Sequence, residues 1–590
     1  MPRHDPHSYA DLKQGSIERI DFDLRIRMDE RDIHGVARYR LDRPSPGVLD
    51  LDTHRITIDS VRSEKTDLPW SLELEEAILG QRLHIEGLTG AKEFSLAFRC
   101  TEEARALQWL NPEQTASGKH PFLYSQCQSI NARSLFPCQD SPSVRFTYSA
   151  KVRAPAPLRV VMAAAPGDEG SDQQGSFHRF EMPQPIPSYL FALAVGEIVS
   201  KEVSHRCRVY AEPALIDAAA WEFGEMEMML SHGEELFGPY LWDRYDVLVL
   251  PRSFPYSGME NPRLTFLNPV LVTGDRSETD TLAHELAHSW TGNLVTNATW
   301  EDFWLNEGWT SYAESRITER LSGEDLAQLL NVAKSGQLRE DITRYGADSK
   351  LTCLKYSQEG IDPEEAFSRI PYYKGQFFLV NLERAAGRQA FDRFIREYIQ
   401  AFAFRSITTE AFLEFLHQRL PQAAARVPID EWIYRPGLPS SLPEFRSRYY
   451  DQVAAVVSAY REGRLPTRAE VSGWTPRQRE VLLLMLPERI PEQDVRALDE
   501  AFDFASTVSY VTLSYFYRLA ILSGYQDILP RAQKFVLDTG PLLSMERVMR
   551  ALAQTDWSRP HARPLFERVR PRIHPVTGAR LARELDRAGA

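Results

Sequence analysis

Cysteine is scarce in this chain: Cys100, Cys127, Cys138, Cys207 and Cys353 are the five in 590 residues, and no two stand in C-x-x-C spacing. That excludes a disulfide framework and a cysteine-built zinc cluster, so the thiols are read as reduced and the compartment as cytoplasmic. Long apolar runs are also missing. The longest candidate, Tyr189 to Val195, is strand-sized and bounded by Pro187 and Gly196, well short of the roughly 18 residues that a membrane span needs. The start, Met1-Pro2-Arg3-His4-Asp5-Pro6-His7, lacks the apolar segment of a signal peptide, and no membrane partner is expected. Positive charge is in deficit: the net charge of -13 disfavours a nucleic-acid partner, because phosphate binding needs a concentrated basic surface. The arginine-rich stretch from Arg559 to Arg587 is read as the solvated face of terminal helices with structural pairs.

What is present is ordinary for a folded multidomain protein. Apolar residues make up 43% and charged residues 26%, and the length exceeds what one core supports. Short strand-like stretches fill residues 1–200, cleanest at Ile20, Phe22, Leu24, Ile26 and Met28, which alternate with polar neighbours; they predict a large antiparallel β domain. Over residues 201–434 the period turns helical, with one long helix expected from Ala218 to Phe237, a strand at Asp246 to Leu250, and helices at roughly Thr279 to Thr291 and Trp304 to Leu321. A Pro/Ser-rich linker is expected over 435–445, and an all-α solenoid or bundle over 446–590.

The chemistry concentrates in His284-Glu285-Leu286-Ala287-His288 and, after eighteen residues, Glu307. Residues four apart share a helix face, so His284 and His288 can offer imidazole nitrogens to one metal ion, with Glu307 as third ligand. Three ligands of this kind leave a coordination position open, the mark of a catalytic rather than a structural zinc site. Glu285 stands about 100° around the helix, placed to act as general base on a metal-activated water. The reaction class is peptide or amide hydrolysis. The flanks Leu282, Ala283, Leu286, Ala287 and Trp290 predict a buried helix, and a buried histidine needs a partner. Upstream, Tyr256-Ser257-Gly258-Met259-Glu260-Asn261-Pro262 offers an acid in a turn-prone segment. A desolvated carboxylate such as Glu260 can hold a substrate's α-ammonium group, which points to an exopeptidase cutting at the N-terminus.

These motifs resemble the M1 family of zinc aminopeptidases: Gly258-Met259-Glu260-Asn261 matches G-x-M-E-N from its second glycine, and His284-Glu285-x-x-His288 with Glu307 matches the metal motif. The leukotriene-A4 hydrolase and aminopeptidase B branch is the most similar, through Ser125-Gln126-Cys127-Gln128, Pro137-Cys138-Gln139-Asp140, Trp290 to Thr296, Phe303 to Gly308 and His574-Pro575-Val576-Thr577. The resemblance implies an N-terminal saddle-like β domain, a thermolysin-like catalytic domain, a C-terminal helical domain, one zinc ion and peptide substrates with a free N-terminus; a monomer is expected. It further implies that Tyr372 stabilises the oxyanion, that Gln128 helps Glu260 grip the amine, that Tyr256, Gly258 and Met259 line the substrate site, and that Glu314 orients a metal ligand.

The chain also departs from the branch. Where lipid epoxide hydrolysis needs an aspartate and a tyrosine, Glu364 and Phe367 stand, so that activity is expected to be absent. The arginine expected to bind the substrate's C-terminal carboxylate is replaced by Ser558, with Arg559 one step later as the candidate. Ser257 and Trp309 are bulkier than the branch's residues and are expected to reshape the first side-chain pocket. A catalytically silent scaffold, the other alternative, predicts damage to the metal motif, and the motif is intact.

Overall fold

The computed structural model describes residues 5–64, 66–172 and 175–589; Met1-Pro2-Arg3-His4, part of the segment read for a leader, lie outside them. The first domain is built on an eight-stranded sheet. In its central strand, Ile17–Arg27, the alternating Ile20, Phe22, Leu24 and Ile26 are buried, as a half-buried strand demands. This strand runs antiparallel to Asp32–Leu41, with Ile20 opposite Tyr39, but parallel to Arg145–Arg153, with Ile20 opposite Tyr148. The expectation of a wholly antiparallel domain is corrected at that pair. Between the two strands the chain passes through two smaller sheets, a connection long enough to bring it back in the same direction. Phe22, Phe136, Tyr148 and Phe191 pack at ring-centroid distances of 5.0–6.2 Å in the core.

The motif segments 125–128 and 137–140 belong to this core. Arg133 is buried and donates to Asp140 Oδ2 at 3.0 Å and to the His7 carbonyl at 2.6 Å. Gln139 caps the start of the central strand by accepting from Ile17 N at 2.9 Å. These contacts hold the loop that carries Gln128.

The second domain has a five-stranded sheet in which Cys207–Ala211, Tyr245–Val249 and Leu264–Leu267 run parallel, flanked on one side by Val199–Glu202 and on the other by the short edge strand Gly258–Met259. The single helix expected from Ala218 to Phe237 is two, Ile216–Glu222 and Met226–Phe237. Gly224 weakens the helix there, and Arg276 Nη2 takes the Trp221 carbonyl at 2.9 Å. The metal-motif helix, Thr279–Ala287, lies against the edge strand and packs on the helix bearing Glu307, Trp304–Ser322, which packs in turn on the helix bearing Tyr372, Ile370–Ala386. The last two cross at a glycine pair: a Cβ on Gly308 would lie 2.8 Å from Gly375 Cα. The metal-motif helix is shorter than expected. It ends at Ala287 with His288 as C-cap, although His288 N still bonds the His284 carbonyl at 3.2 Å, so both imidazoles keep one face. Gly292, at φ 120°, turns the chain beneath His288, where a Cβ would stand 2.6 Å from His288 Nδ1.

Residues 436–447 run as irregular chain over the second domain: Gly437 N donates to Thr352 Oγ1 at 2.8 Å and Trp432 Nε1 to Ser441 Oγ at 3.0 Å. The third domain is all-helical from Arg448–Arg461 to Pro575–Arg587. Its helix Pro476–Met485 packs on the catalytic helix Glu324–Tyr345 and on Tyr510–Leu522, which packs in turn on Leu542–Gln554. No helix among the described residues is long and apolar enough to cross a membrane. All five cysteines are buried and unbridged.

Candidate active site

Nε2 of His284 and Nε2 of His288 lie 3.3 and 3.4 Å from the same oxygen, Glu307 Oε2. That oxygen is buried and makes no well-directed hydrogen bond among the described residues, so the three atoms face a shared centre rather than one another. The outer ring nitrogens are held in place, His284 Nδ1 3.1 Å from Glu314 Oε2 and His288 Nδ1 3.0 Å from the Thr291 carbonyl oxygen. Such outer contacts set the tautomer that leaves Nε2 free for a metal. Lys334 Nζ donates to the same Glu314 oxygen at 2.8 Å. Burial pushes the His284 pKa down, but the close carboxylates of Glu307 and Glu314 outweigh this and raise it to about 10. Burial likewise pushes Glu307 up, and the charge of His288 with contacts to both histidines pulls it down to about 2. Donors in so mutually charged a cluster fit a divalent cation, which neutral imidazoles and a carboxylate would hold.

Glu285 lies on the same helix, 6% exposed, with Oε2 unpartnered, and burial raises its pKa to about 8. A Cβ on Gly258 would come within 2.4 Å of Glu285 Oε1, so the glycine of the upstream motif is where the edge strand meets this carboxylate. Glu260 is also buried, with Oε1 unpartnered, and its ligand oxygen lies within 4.8 Å of those of Glu285 and His288. Burial pushes its pKa up, and Asn293 Nδ2 anchors its backbone carbonyl at 2.7 Å. Tyr372 stacks on His284 at 5.8 Å. Gln128 reaches in from the first domain with Nε2 unpartnered, and Tyr256 donates to Glu364 Oε2 at 3.2 Å. Apart from Asn293 and Glu364, these groups line one cavity of about 250 Å³.

Three expectations are corrected. The Met259 side chain points away from the cavity, its sulfur 3.2 Å from Gln126 Nε2, because neighbours on a strand face opposite sides. Arg559 opens a helix of the third domain, where its Nε donates to the Ala553 carbonyl at 3.1 Å and it pairs with Asp556 at 3.4 Å; it does not reach the cavity, and Ser558 is spent on the Leu552 carbonyl at 2.7 Å. Trp309 does not shape the cleft either: it is fully buried and stacks on Tyr398 at 5.1 Å. Ser257 does line the cavity, with Oγ 2.7 Å from the Tyr510 hydroxyl.

Sequence reading missed the far wall. Lys334, Arg369, Arg477, Tyr510 and Arg547 line the cavity, yet no spacing joins them to the metal motif. At Lys334 and Arg547 the one sequence signal is a charge inside a helical segment with apolar neighbours.

Residues 6–190 match the Peptidase M1 N-terminal domain, residues 221–432 the Peptidase family M1 domain and residues 474–585 the Leukotriene A4 hydrolase, C-terminal domain. The chain is 35% identical to leukotriene A-4 hydrolase of Xenopus laevis, covering 98% of this chain and 99% of that one, and 34% identical to leucine aminopeptidase 2 of Pyricularia oryzae, covering 99% and 98%. Yeast LTA4 hydrolase, solved in complex with bestatin, superposes with a TM-score of 0.90 at 29% identity, covering 99% of this chain and 97% of that one. With a converging His, His, Glu donor set in the middle of three domains that each match, this chain belongs to the M1 family of peptidases.

Proposed function

We propose that this protein is a zinc-dependent aminopeptidase that releases the N-terminal residue of peptides, acting as a monomer in the cytoplasm. The observation that carries the reading is Glu260, a buried carboxylate with an unpartnered oxygen, set within 4.8 Å of donors at the metal motif. A desolvated anion at that distance from a hydrolytic centre suits a free α-ammonium group and places the first peptide carbonyl beside the three donors.

His284, His288 and Glu307 would hold the ion; zinc bound there supplies Lewis acidity and makes water a nucleophile at neutral pH. Glu285 accepts the proton that water loses and returns one to the departing amine. The Tyr372 hydroxyl donates to the carbonyl oxygen as negative charge grows on it. Gln128 shares the amine with Glu260. The edge strand at Gly258 aligns the substrate backbone by β-pairing. Glu314, held by Lys334, keeps the His284 ring in its ligating orientation.

Epoxide hydrolysis is not part of this reading. Glu364 already accepts from Ser129 N at 2.9 Å and from Tyr256, and Phe367 brings a bare ring, 5.8 Å from that of Tyr256, where a hydroxyl would be required.

The test is Glu285→Gln. The variant is expected to keep its metal, measured by elemental analysis, while kcat on a leucyl anilide falls by about 10²-fold or more with loss of the general base. Chelation should abolish wild-type turnover and zinc restore it. Unchanged turnover in the variant would sink the mechanism.

A further inference from the structure

Tyr372 stands in the first turn of its helix, where backbone N–H groups have no partner within the helix and the turn is placed from outside. Its ring rests on those of His284 at 5.8 Å, Phe303 at 6.1 Å and Phe367 at 6.2 Å. Ring contacts carry no direction for the hydroxyl, so its aim depends on where the helix begins.

The helix is capped by Arg369, and a cation sits badly at the positive end of a helix dipole. Two acids of the catalytic helix Glu324–Tyr345 answer it: Asp341 accepts from Arg369 N at 3.0 Å and Nε at 3.1 Å, and Glu340 accepts from Nη2 at 2.9 Å. The remaining arm crosses to the third domain, where Nη1 donates to the Tyr515 hydroxyl at 3.1 Å. That buried hydroxyl also accepts from Arg547 Nη2 at 2.9 Å and donates to Glu340 at 3.3 Å, while Arg518 Nη1 reaches Glu340 at 2.9 Å. With two guanidinium groups and a carboxylate on one oxygen, Tyr515 has a single place to stand. The second hold lies just upstream. Arg580 Nη1 donates to the Phe367 carbonyl at 3.1 Å, and Glu546 keeps Arg580 in place at 3.2 Å. Phe367 is both the residue gripped and a ring against Tyr372.

We infer that the third domain sets the aim of the Tyr372 hydroxyl, with Tyr515 and Arg580 as positioning residues that act through Arg369 and Phe367. The inference rests on the aminopeptidase reading, in which that hydroxyl meets the oxyanion. The groups that read the substrate before reaction, Glu260, Gln128 and Gly258, sit on other segments. A loosened start of the Tyr372 helix therefore weakens the transition state and leaves substrate binding as it was.

The test measures kcat and KM on leucyl anilide for Tyr515→Phe, Arg580→Met and Tyr372→Phe, and for each of the first two combined with Tyr372→Phe. Tyr515→Phe keeps the ring that lies 3.7 Å from the Arg547 guanidinium and removes only the shared hydroxyl. Each third-domain variant is expected to lower kcat by about tenfold with KM held within about twofold. Affinity for a tetrahedral phosphonate analogue should fall with kcat, while affinity for the product leucine holds. Tyr372→Phe should lose about 10²-fold or more. Adding either third-domain change to it should alter kcat by no more than about twofold, because the group being aimed is gone. The inference is overturned if Tyr515→Phe and Arg580→Met keep wild-type kcat, or if their losses recur in full on the Tyr372→Phe background, as a purely structural contact would give. Should Arg580→Met fail to fold, Tyr515→Phe decides. Wild-type kcat in Tyr372→Phe alone sinks the oxyanion role in the proposed function, and the inference with it.

Discussion

At position 258 any side chain would collide with the carboxylate of Glu285, 2.4 Å from the nearest oxygen. The glycine there is required by the neighbour it touches and not by its own backbone. Gly258→Ala is therefore expected to fold and to hold metal but to move Glu285. Because a misplacement of about 1 Å can cost on the order of 10²-fold in rate, kcat should fall by roughly 10- to 100-fold. Parallel assays of anilide turnover, bound metal and thermal midpoint check this; a variant with full kcat would show that the carboxylate has room to shift. The same scale separates the motif residues. Glu285, Glu260 and Glu307 each bear a buried oxygen without a hydrogen-bond partner, whereas Gln139 and Asp140, equally prominent in the sequence, are consumed by the backbone and by Arg133. Nothing in a linear motif distinguishes a polar group kept free for a ligand from one spent on the fold.

At the scale of elements, the distance between Glu307 and Tyr372 is set by the crossing of their two helices at Gly308 and Gly375. Trp309, one position on, clamps the outer side of the first helix against Phe391, Tyr398 and Phe412. Gly308→Ala places a methyl 2.8 Å from Gly375 Cα, and backbone cannot yield as a side chain can. Overpacking of this kind costs about 1–3 kcal/mol. The variant should lose stability by that order in chemical unfolding and should lose kcat through the altered spacing. Stability equal to wild type would mean the helices are not held as closely as described. The glycine after Glu307 is legible in the sequence, but its partner lies sixty-seven residues later in the chain, and no local periodicity connects them.

At the scale of the molecule, the cavity is a junction: Gln128 comes from the first domain, the metal motif, Glu260 and Tyr372 from the second, and Arg477, Tyr510 and Arg547 from the third. The third domain is fastened near it by Glu546, which pairs with Arg344 of the catalytic helix and with Arg580 at 3.2 Å; Arg580 also donates to the Phe367 carbonyl at 3.1 Å. Burial pushes the Glu546 pKa up, but Arg580 and Arg344 outweigh it and hold it at about 2, against an ordinary 4.5. A folded-state pKa below the unfolded one means stabilisation that is complete above pH 4.5 and is lost as the pH falls towards 2, worth about 3 kcal/mol at about 1.4 kcal/mol per unit. Glu546→Gln is expected to be less stable than wild type at pH 7, with the gap in unfolding midpoint narrowing below pH 4.5. A gap that stays constant down to pH 3 would contradict this.

The helical and strand periods, the three-part division and the metal motif were all readable from residue order, because each depends on neighbours within one or two turns of chain. His284 and His288 share a helix face by spacing alone, with Glu285 beside them, the turn-prone segment nominated Glu260, and the resemblance extended that reading to Gln128, Tyr372 and Glu314. The parallel strand pair, the break at Gly224, the burial of Trp309 and the outward turn of Met259 were not readable, since each arises from contacts between segments far apart in the chain. The cation facing the cavity follows the same division. Residue order nominated Arg559 by likeness of a short motif, whereas packing turned that side chain to the surface and left Arg547, buried and without a carboxylate partner among the described residues, on the cavity wall. Charge balance in a cavity is a sum over side chains from every domain that lines it, and it exists only once those domains have packed.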